Sequence, residues 1–138
     1  MNIEIDCSWK NDMAFEASSG PYKIMMDADE SVGGTGMGAR PKPLLLSALA
    51  GCTGMDVVAI LKKMQVEFDS FSINVNGELT EEHPRIFDRI NIIYQFTGKD
   101  LPLDKINKAV QLSQEKYCGI SAMLAKAAEI TYEIELNS

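Results

Sequence analysis

The chain has 138 residues, a length that fits one domain, and 46% of them are hydrophobic, enough for a core without disulfide staples. The formal net charge of −7 repels phosphate backbones, so nucleic acid is excluded as an expected partner. The opening segment, MNIEIDCSWK, lacks the basic and apolar regions of a signal peptide. These features predict a single cytoplasmic domain over residues 1–138.

The sequence begins with patterns that are typical of β-strands. Residues 2–10 alternate between apolar and polar side chains, which predicts a half-buried strand. Residues 13–18 and 22–28 are joined by Ser-Gly-Pro and predict a hairpin. The glycine-rich loop SVGGTGMGARPKP follows; it lacks the Gly-Lys-Ser/Thr ending of a phosphate-binding loop, so we interpret it as a mobile flap.

A long helix is predicted to begin near residues 41–43, because proline is tolerated in a first helical turn, and to end near Met64. Apolar residues surround most of its circumference, which predicts a position in the core. Its length would also suit a membrane span. Polar and charged residues interrupt the stretch and favour a buried helix with no membrane partner: Ser47, Thr53, Asp56, Lys62 and Lys63.

The second half of the chain alternates between strand and helix patterns. Strands are predicted at residues 71–79 and 86–97, and Ile90, Ile92, Tyr94 and Phe96 share one face of the second strand. A helix is predicted after Leu101-Pro102 and ends near Tyr117. A short helix over residues 121–127 and a last strand with alternating apolar residues complete the order βββ-α-ββ-αα-β. This order predicts an α+β fold.

The three cysteines, Cys7, Cys52 and Cys118, are the main candidates for chemistry. An odd number of cysteines without a signal peptide favours the reducing cytosol over a disulfide framework. The chain has one histidine and no CxxC motif, so no metal site is expected. Cys7 lies on the apolar face of the first predicted strand, beside Trp9, and is interpreted as a packing residue.

Cys52 lies deep in the long helix among alanines and glycines, where a free cysteine can simply be a small core residue. Cys118 directly precedes a short predicted helix, whose N-terminus would lower the thiol pKa. Arg40, at the start of the long helix, could favour the Cys52 thiolate or could be a solvated loop residue. Asp56 lies one turn beyond Cys52; a carboxylate that faced the sulfur would raise the pKa of the thiol, so Asp56 could instead pair with Lys62, Lys63 or solvent.

Three stretches of the sequence together resemble one protein family. RPKPLLLSALAGCTGMDVVAILKKM resembles the central helix of the OsmC/Ohr family, and LSQEKYCGISAML resembles its second cysteine motif. Between them, EEHPRIFDRINIIYQFTG is similar to the intervening hairpin of that family. The three stretches occur in the family order and cover most of the chain.

The resemblance implies an intertwined homodimer with antiparallel sheets around long central helices and with active sites at the interface. It also implies a thiol peroxidase that reduces organic hydroperoxides, with Cys52 as the attacking and Cys118 as the resolving cysteine. The thiol chemistry would proceed through a Cys52 sulfenic acid and a Cys52–Cys118 disulfide, which an external dithiol reduces. No cofactor and no metal is expected.

The sequence departs from the hydroperoxidase pattern at two points. Those members carry a glutamate nine or ten residues before the first cysteine, where this chain has Pro43 and Lys42. They also take an arginine from the N-terminal strands, whereas the first arginine here is Arg40. Arg40 or Lys42 is therefore the candidate source of positive charge, and the chain is more similar to the OsmC-like branch than to the dedicated organic hydroperoxide resistance proteins.

Two other functions are compatible with the same scaffold. The protein could bind a small apolar or thiol-containing ligand without catalysis, or it could be a redox sensor whose disulfide forms once and signals. Turnover with a recycling dithiol distinguishes the peroxidase from both, and an apolar ligand bound to the purified protein would favour the binding protein.

Overall fold

A computed structural model describes all 138 residues and contains six strands and three α-helices in the predicted order. The α+β class is therefore confirmed. The chain forms two compact units, Met1–Leu45 and Leu46–Ser138. The assignment of residues 1–138 to a single domain stays a prediction.

The first unit contains an antiparallel sheet of three strands, β1 (Asp6–Asn11), β2 (Ala14–Ser19) and β3 (Tyr22–Met26), in the order β1-β2-β3. Each connection is a tight turn. Asp12 and Gly20 have φ angles of 49° and 57°, in the left-handed region that glycine adopts freely and aspartate tolerates. Local turn chemistry therefore sets the register of this sheet.

The prediction of a half-buried first strand is wrong, because every residue of β1 is exposed. The apolar side chains do lie on one face of the sheet, where Trp9 pairs with Phe15 and Cys7 with Ala17. Yet Trp9 keeps 65% of its surface exposed, and Cys7 is also exposed rather than packed. The alternation identified the apolar face correctly, but this unit contains no further layer that covers it.

The second unit contains the sheet β4 (Ser70–Leu79), β5 (Phe87–Thr97) and β6 (Glu129–Asn137), with helices α2 (Leu103–Leu112) and α3 (Gly119–Leu124). Strands β4 and β5 are antiparallel, whereas β5 and β6 are parallel. The expectation of wholly antiparallel sheets is therefore wrong for this pair. The helical segment between β5 and β6 carries the chain back to the end of the sheet at which β5 begins, as a connection between parallel strands requires.

The core of the second unit is centred on β5, in which alternate residues are fully buried: Ile90, Ile92, Tyr94 and Phe96. The rings of Phe96 and Phe71 are stacked, with centroids 4.2 Å apart. Burying an aromatic side chain of this size contributes about 2–3 kcal/mol. The predicted inward face of this strand is confirmed.

Helix α1 (Pro41–Lys63) has the predicted bounds but buries only one stripe of residues: Leu49, Thr53, Val57 and Leu61. Met55, on another face, is 76% exposed, so the prediction of all-round burial is wrong within one chain. By length and composition alone, the helix is long and apolar enough to cross a membrane. Core helices of soluble proteins share that profile, so it does not assign α1 to a bilayer.

Candidate functional site

Cys52 lies in the middle of α1, one residue before the buried Thr53, and is half-buried. The stripe repeats every four residues, which places Thr53 against the sheet and Cys52 at the edge of the stripe. Asp56 follows Cys52 by four residues, so one helical turn places both side chains on the same side of α1. The helical spacing thus brings a thiol and a carboxylate together.

The second cysteine is positioned by an interruption of the helix that follows α2. Residues Ser113–Tyr117 form a π-helical segment, and the backbone N–H of Cys118 donates to the carbonyl of Ser113, five residues back, at 2.8 Å. Single π-helical turns of this kind are frequent at functional sites. Cys118 itself is extended and serves as the N-cap of α3, with its sulfur accepting from the Ser121 N–H at 3.4 Å.

The fold brings Cys52 and Cys118, which are separated by 66 positions, into one cluster with Asp56. The two sulfurs and a carboxylate oxygen of Asp56 all lie within 4.8 Å of one another. All three cysteines of the chain are free. Cys52 and Cys118 thus lie close together, whereas Cys7 lies in the other unit. The roles of Cys52 and Cys118 as a reactive pair stay a prediction.

The Cys118 thiol is only 3% exposed, and burial raises its pKa to about 11. The Ser121 N–H lowers this pKa by less than burial raises it, and the neighbouring Cys52 raises it further. The expectation of a lowered Cys118 pKa from the short helix is therefore wrong. The predicted helix is present, but loss of solvation outweighs the contribution of a six-residue helix.

A chain of buried hydrogen bonds lies behind the cysteines. Thr53 Oγ1 lies 2.7 Å from both the Tyr94 hydroxyl and the Ser113 hydroxyl. Gln114 Nε2 donates to the Tyr94 hydroxyl at 2.7 Å and to Thr53 Oγ1 at 3.3 Å. Ser121 Oγ donates to Gln114 Oε1 at 2.6 Å, which connects the network to the helix that Cys118 caps.

The Asp56 carboxylate, which can only accept, determines which hydroxyl donates and which accepts in each hydrogen bond of this network. Ser113 Oγ donates its only proton to Asp56 Oδ2 at 2.9 Å, so it must accept the proton of Thr53. By the same count, Tyr94 donates to Thr53 and accepts from Gln114. The aligned hydroxyls hold one oxygen of Asp56 in place beside the two sulfurs. Asp56 therefore pairs with Ser113, rather than with Lys62 or Lys63.

Two cavities adjoin this helix. One, of about 370 Å³, reaches Asp56 and is otherwise lined by Ala59, Ile60, Lys63, Leu112 and Tyr117. The other is an apolar groove of about 650 Å³ between α1 and β4. Its lining includes Gly51, Gly54, Met55, Phe71 and Ile73.

The glycine-rich loop of the first unit is organised by a buried carboxylate. Asp27 accepts hydrogen bonds from the backbone N–H groups of Ala28, Thr35 and Met37 at 2.8–3.0 Å. A Cβ on Gly34 would overlap the backbone of the segment that follows β3, and a Cβ on Gly38 would overlap the backbone of β3 itself. The glycines thus allow close backbone approach, and the interpretation of a mobile flap is replaced by a loop closed on Asp27.

Arg40 lies in this first unit, where its guanidinium pairs with Asp29 at 3.3 Å. Both side chains are about half exposed. The role of Arg40 as a thiol-activating cation stays a prediction.

Sequence reasoning did not identify the polar residues that support the cluster: Thr53, Tyr94, Ser113, Gln114 and Ser121. The sequence did contain one signal for two of them. Ser113 and Gln114 continue, at helical spacing, the inner apolar stripe of α2. The contacts of Thr53 with Tyr94, Ser113 and Gln114 join residues 41 to 61 positions apart, and only the tertiary structure can define such contacts.

Comparison with known proteins gives a consistent result. A family model described as OsmC-like protein matches residues 34–133. Protein YhfA of Escherichia coli (strain K12) is 37% identical over 130 residues, which cover 93% of each chain.

Solved structures extend the likeness to the whole fold. A hypothetical protein from Aquifex aeolicus VF5 has a TM-score of 0.84 at 29% identity, covering 100% of this chain and 99% of its own. The organic hydroperoxide resistance protein OhrB of Bacillus subtilis has a TM-score of 0.67 at 18% identity, covering 98% of both chains. At that identity the second likeness shows the fold alone.

Proposed function

Because the chain belongs to the OsmC-like family, we propose that it is a two-cysteine thiol peroxidase that reduces organic hydroperoxides. The family and the organic hydroperoxide resistance names of solved neighbours support a redox-related role. The observation that carries the finer proposal is the cluster of both sulfurs within 4.8 Å. A disulfide bond of about 2.05 Å requires the two sulfurs to approach each other from that separation.

The environments of the two cysteines support different roles. Cys52 is half-buried and thus reachable by a substrate, whereas Cys118 is buried, with a pKa raised to about 11 by that burial. A thiol with such a pKa is protonated at neutral pH and is a poor first nucleophile. Cys52 is therefore the attacking residue in this proposal and Cys118 the resolving residue.

The reaction has three steps. The Cys52 thiolate attacks one peroxide oxygen, the O–O bond breaks, and the alkoxide leaves as an alcohol after taking a proton, with Cys52 now a sulfenic acid. The Cys118 sulfur attacks that sulfenic acid, the S–O bond breaks and the disulfide forms. The Asp56 carboxylate is close enough to accept the Cys118 proton and pass it to the leaving hydroxide, which departs as water. An external dithiol then reduces the disulfide by exchange.

The active assembly in this proposal is a homodimer in the cytoplasm. Its support is the uncovered apolar face of the first sheet, where Trp9 and Ile24 are 65% and 53% exposed, and the exposed Met55 of α1. Exposed apolar surface of this kind marks association sites.

A second function is supported by the apolar groove between α1 and β4. Its volume of about 650 Å³ is that of a small-molecule site, and its lining is mainly apolar. The alternative proposal is a protein that binds a small apolar ligand there without turnover. Mass spectrometry of the purified protein under native conditions would detect such a ligand.

Stopped-flow measurement of thiol oxidation by cumene hydroperoxide and by hydrogen peroxide tests the peroxidase. The matched set is the Cys7→Ser protein alone and with Cys52→Ser or Cys118→Ser. We expect Cys52→Ser to abolish peroxide consumption. Cys118→Ser should still consume one equivalent and stop at the sulfenic acid, which a sulfenic-acid trap detects. If both thiols react no faster than free cysteine, the peroxidase proposal fails and ligand binding becomes the leading function.

Arg40→Ala, in the same background, tests the activating cation. If Arg40 assists the Cys52 thiolate, the rate of the first oxidation step falls by more than tenfold. An unchanged rate removes Arg40 from the site and leaves its pairing with Asp29 as its contribution.

A further inference from the structure

The cluster of Cys52, Cys118 and Asp56 presents two sulfurs and one carboxylate oxygen, which is a set of metal ligands as well as a redox pair. We propose that the reduced protein binds one Zn²⁺ ion per chain through these three residues. Zinc accepts both thiolate and carboxylate ligands, whereas Mg²⁺ and Ca²⁺ take oxygen ligands and Cu(I) prefers sulfur ligands.

The distances fit after a small adjustment. Zn–S bonds of about 2.3 Å and Zn–O bonds of about 2.1 Å place tetrahedral ligand atoms roughly 3.6–3.8 Å apart. The three ligand atoms here lie within 4.8 Å of one another, so they need to approach by up to about 1 Å. The side-chain torsions of the three ligands would have to supply that movement.

The surroundings of the cluster also suit a metal. Ser113, which is fully buried, donates to Asp56 Oδ2 and orients the carboxylate in the way that outer-shell partners orient metal ligands. The cavity of about 370 Å³ that reaches Asp56 offers an entry path and room for a water. Three protein ligands leave one position open, which is typical of catalytic zinc sites, whereas structural sites are closed by four.

The proposed zinc site departs from the expectation of no metal, which was drawn from the sequence. That expectation counted histidines and CxxC motifs, whereas the ligands here come from the middle of one helix and from the start of another. The proposal does not depend on peroxidase activity, because it concerns the reduced thiols without any peroxide. In the zinc-bound state neither sulfur is free, so zinc is expected to slow the alkylation of both cysteines.

Anaerobic titration of the reduced Cys7→Ser protein with Zn²⁺, in competition with a chromophoric chelator, tests the site. We expect one ion per chain. Replacement of zinc by Co²⁺ should give the sulfur-to-metal charge-transfer absorption of two thiolates together with the strong visible bands of a tetrahedral ion. A stoichiometry well below one, or a cobalt spectrum without thiolate bands, would overturn the proposal.

Asp56→Asn is the discriminating variant, because both thiols remain and the amide oxygen can still accept from Ser113. We expect its zinc affinity to fall by roughly tenfold to a hundredfold. Binding that is as tight as in the parent protein would mean that Asp56 is not a ligand, and the site as proposed would be wrong. Circular dichroism of each variant checks the fold, and the wild-type cobalt spectrum gives an answer even if Asp56→Asn does not fold.

Discussion

The first unit buries a carboxylate and the second unit buries a thiol, and the two groups respond in opposite ways. Asp27 is 3% exposed, yet the backbone N–H of Met37, together with those of Thr35 and Ala28, holds the pKa of its carboxyl below the ordinary value. Cys118 is equally buried, but the loss of solvation raises its pKa to about 11. Burial alone therefore does not decide ionisation: the N–H donors outweigh the loss of solvation at Asp27, and they do not at Cys118.

The two surroundings also differ in what they are made of. The Asp27 cluster uses mainly backbone donors from a loop that closes on the carboxylate, so its integrity depends on the backbone path. The thiol cluster is supported by side-chain hydroxyls and an amide from α1, β5 and the π-helical segment. Substitutions that affect backbone space should therefore damage the first cluster most, and substitutions of hydroxyls should damage the second.

The largest effect is expected from Gly34→Ala. A Cβ at this position would overlap the backbone carbonyl of Ala28, so the loop could not close on Asp27. We expect the free energy of unfolding to fall by about 3 kcal/mol, measured by urea denaturation. Gly36→Ala is the matched control, because its Cβ meets nothing and only its φ of 76° opposes alanine, at a cost of about 1 kcal/mol. Equal losses in the two variants would contradict the argument from space.

Thr53→Val should have the next largest effect. Valine has the shape of threonine but leaves the hydroxyls of Tyr94 and Ser113 and the amide of Gln114 without their shared partner. We expect a loss of about 2 kcal/mol in the free energy of unfolding. Thr131→Val removes an exposed hydroxyl from β6 and should change stability by less than about 0.5 kcal/mol. If Thr53→Val left the free energy of unfolding unchanged, the network would not stabilise the fold.

The third prediction concerns acid, and its effect is confined to low pH. Because the pKa of Asp27 is lowered on folding, its contribution to stability is present above the unfolded value of 3.8 and is lost as pH falls through the folded value. An NMR titration should therefore give an Asp27 midpoint below 3.8, with the Thr35 and Met37 amides following the same midpoint. As the pH falls over this range, the free energy of unfolding of the Asp27→Asn variant should decrease less than that of the wild type. A midpoint at or above 3.8 would contradict the hydrogen bonds assigned to this carboxylate.

The smallest effect is expected from Arg40→Ala. Its ion pair with Asp29 at 3.3 Å is formed by side chains that are 47% and 64% exposed. Exposed pairs of this kind contribute about 0–1 kcal/mol and are screened by salt. Any difference in the thermal unfolding temperature between the variant and the wild type at low salt should disappear at high salt. A loss above about 2 kcal/mol would give Arg40 a structural role that the ion pair does not explain.

Much of the fold could be predicted from local patterns. The alternation in β5 identified its buried face, and Pro41 and the apolar run identified the long helix almost to the residue. Patterns were less reliable where burial depends on what covers a face. Trp9 and Cys7 lie on an apolar face that stays exposed, and α1 is apolar all round but buries one stripe. A hydrophobic pattern indicates which side of an element avoids water, and it does not indicate whether this chain covers that side.

The sequence by itself determined the order of the elements, the α+β class and the two cysteine motifs, because these follow from hydrophobic period, turn chemistry and residues that lie close together in the chain. Only the tertiary structure decided that Cys52, Cys118 and Asp56 meet, that Asp56 is oriented by Ser113, and that the Cys118 pKa is raised. Those properties depend on distances and solvation between residues tens of positions apart. Such distances arise from the packing of α1, β5 and the π-helical segment, which no local pattern encodes.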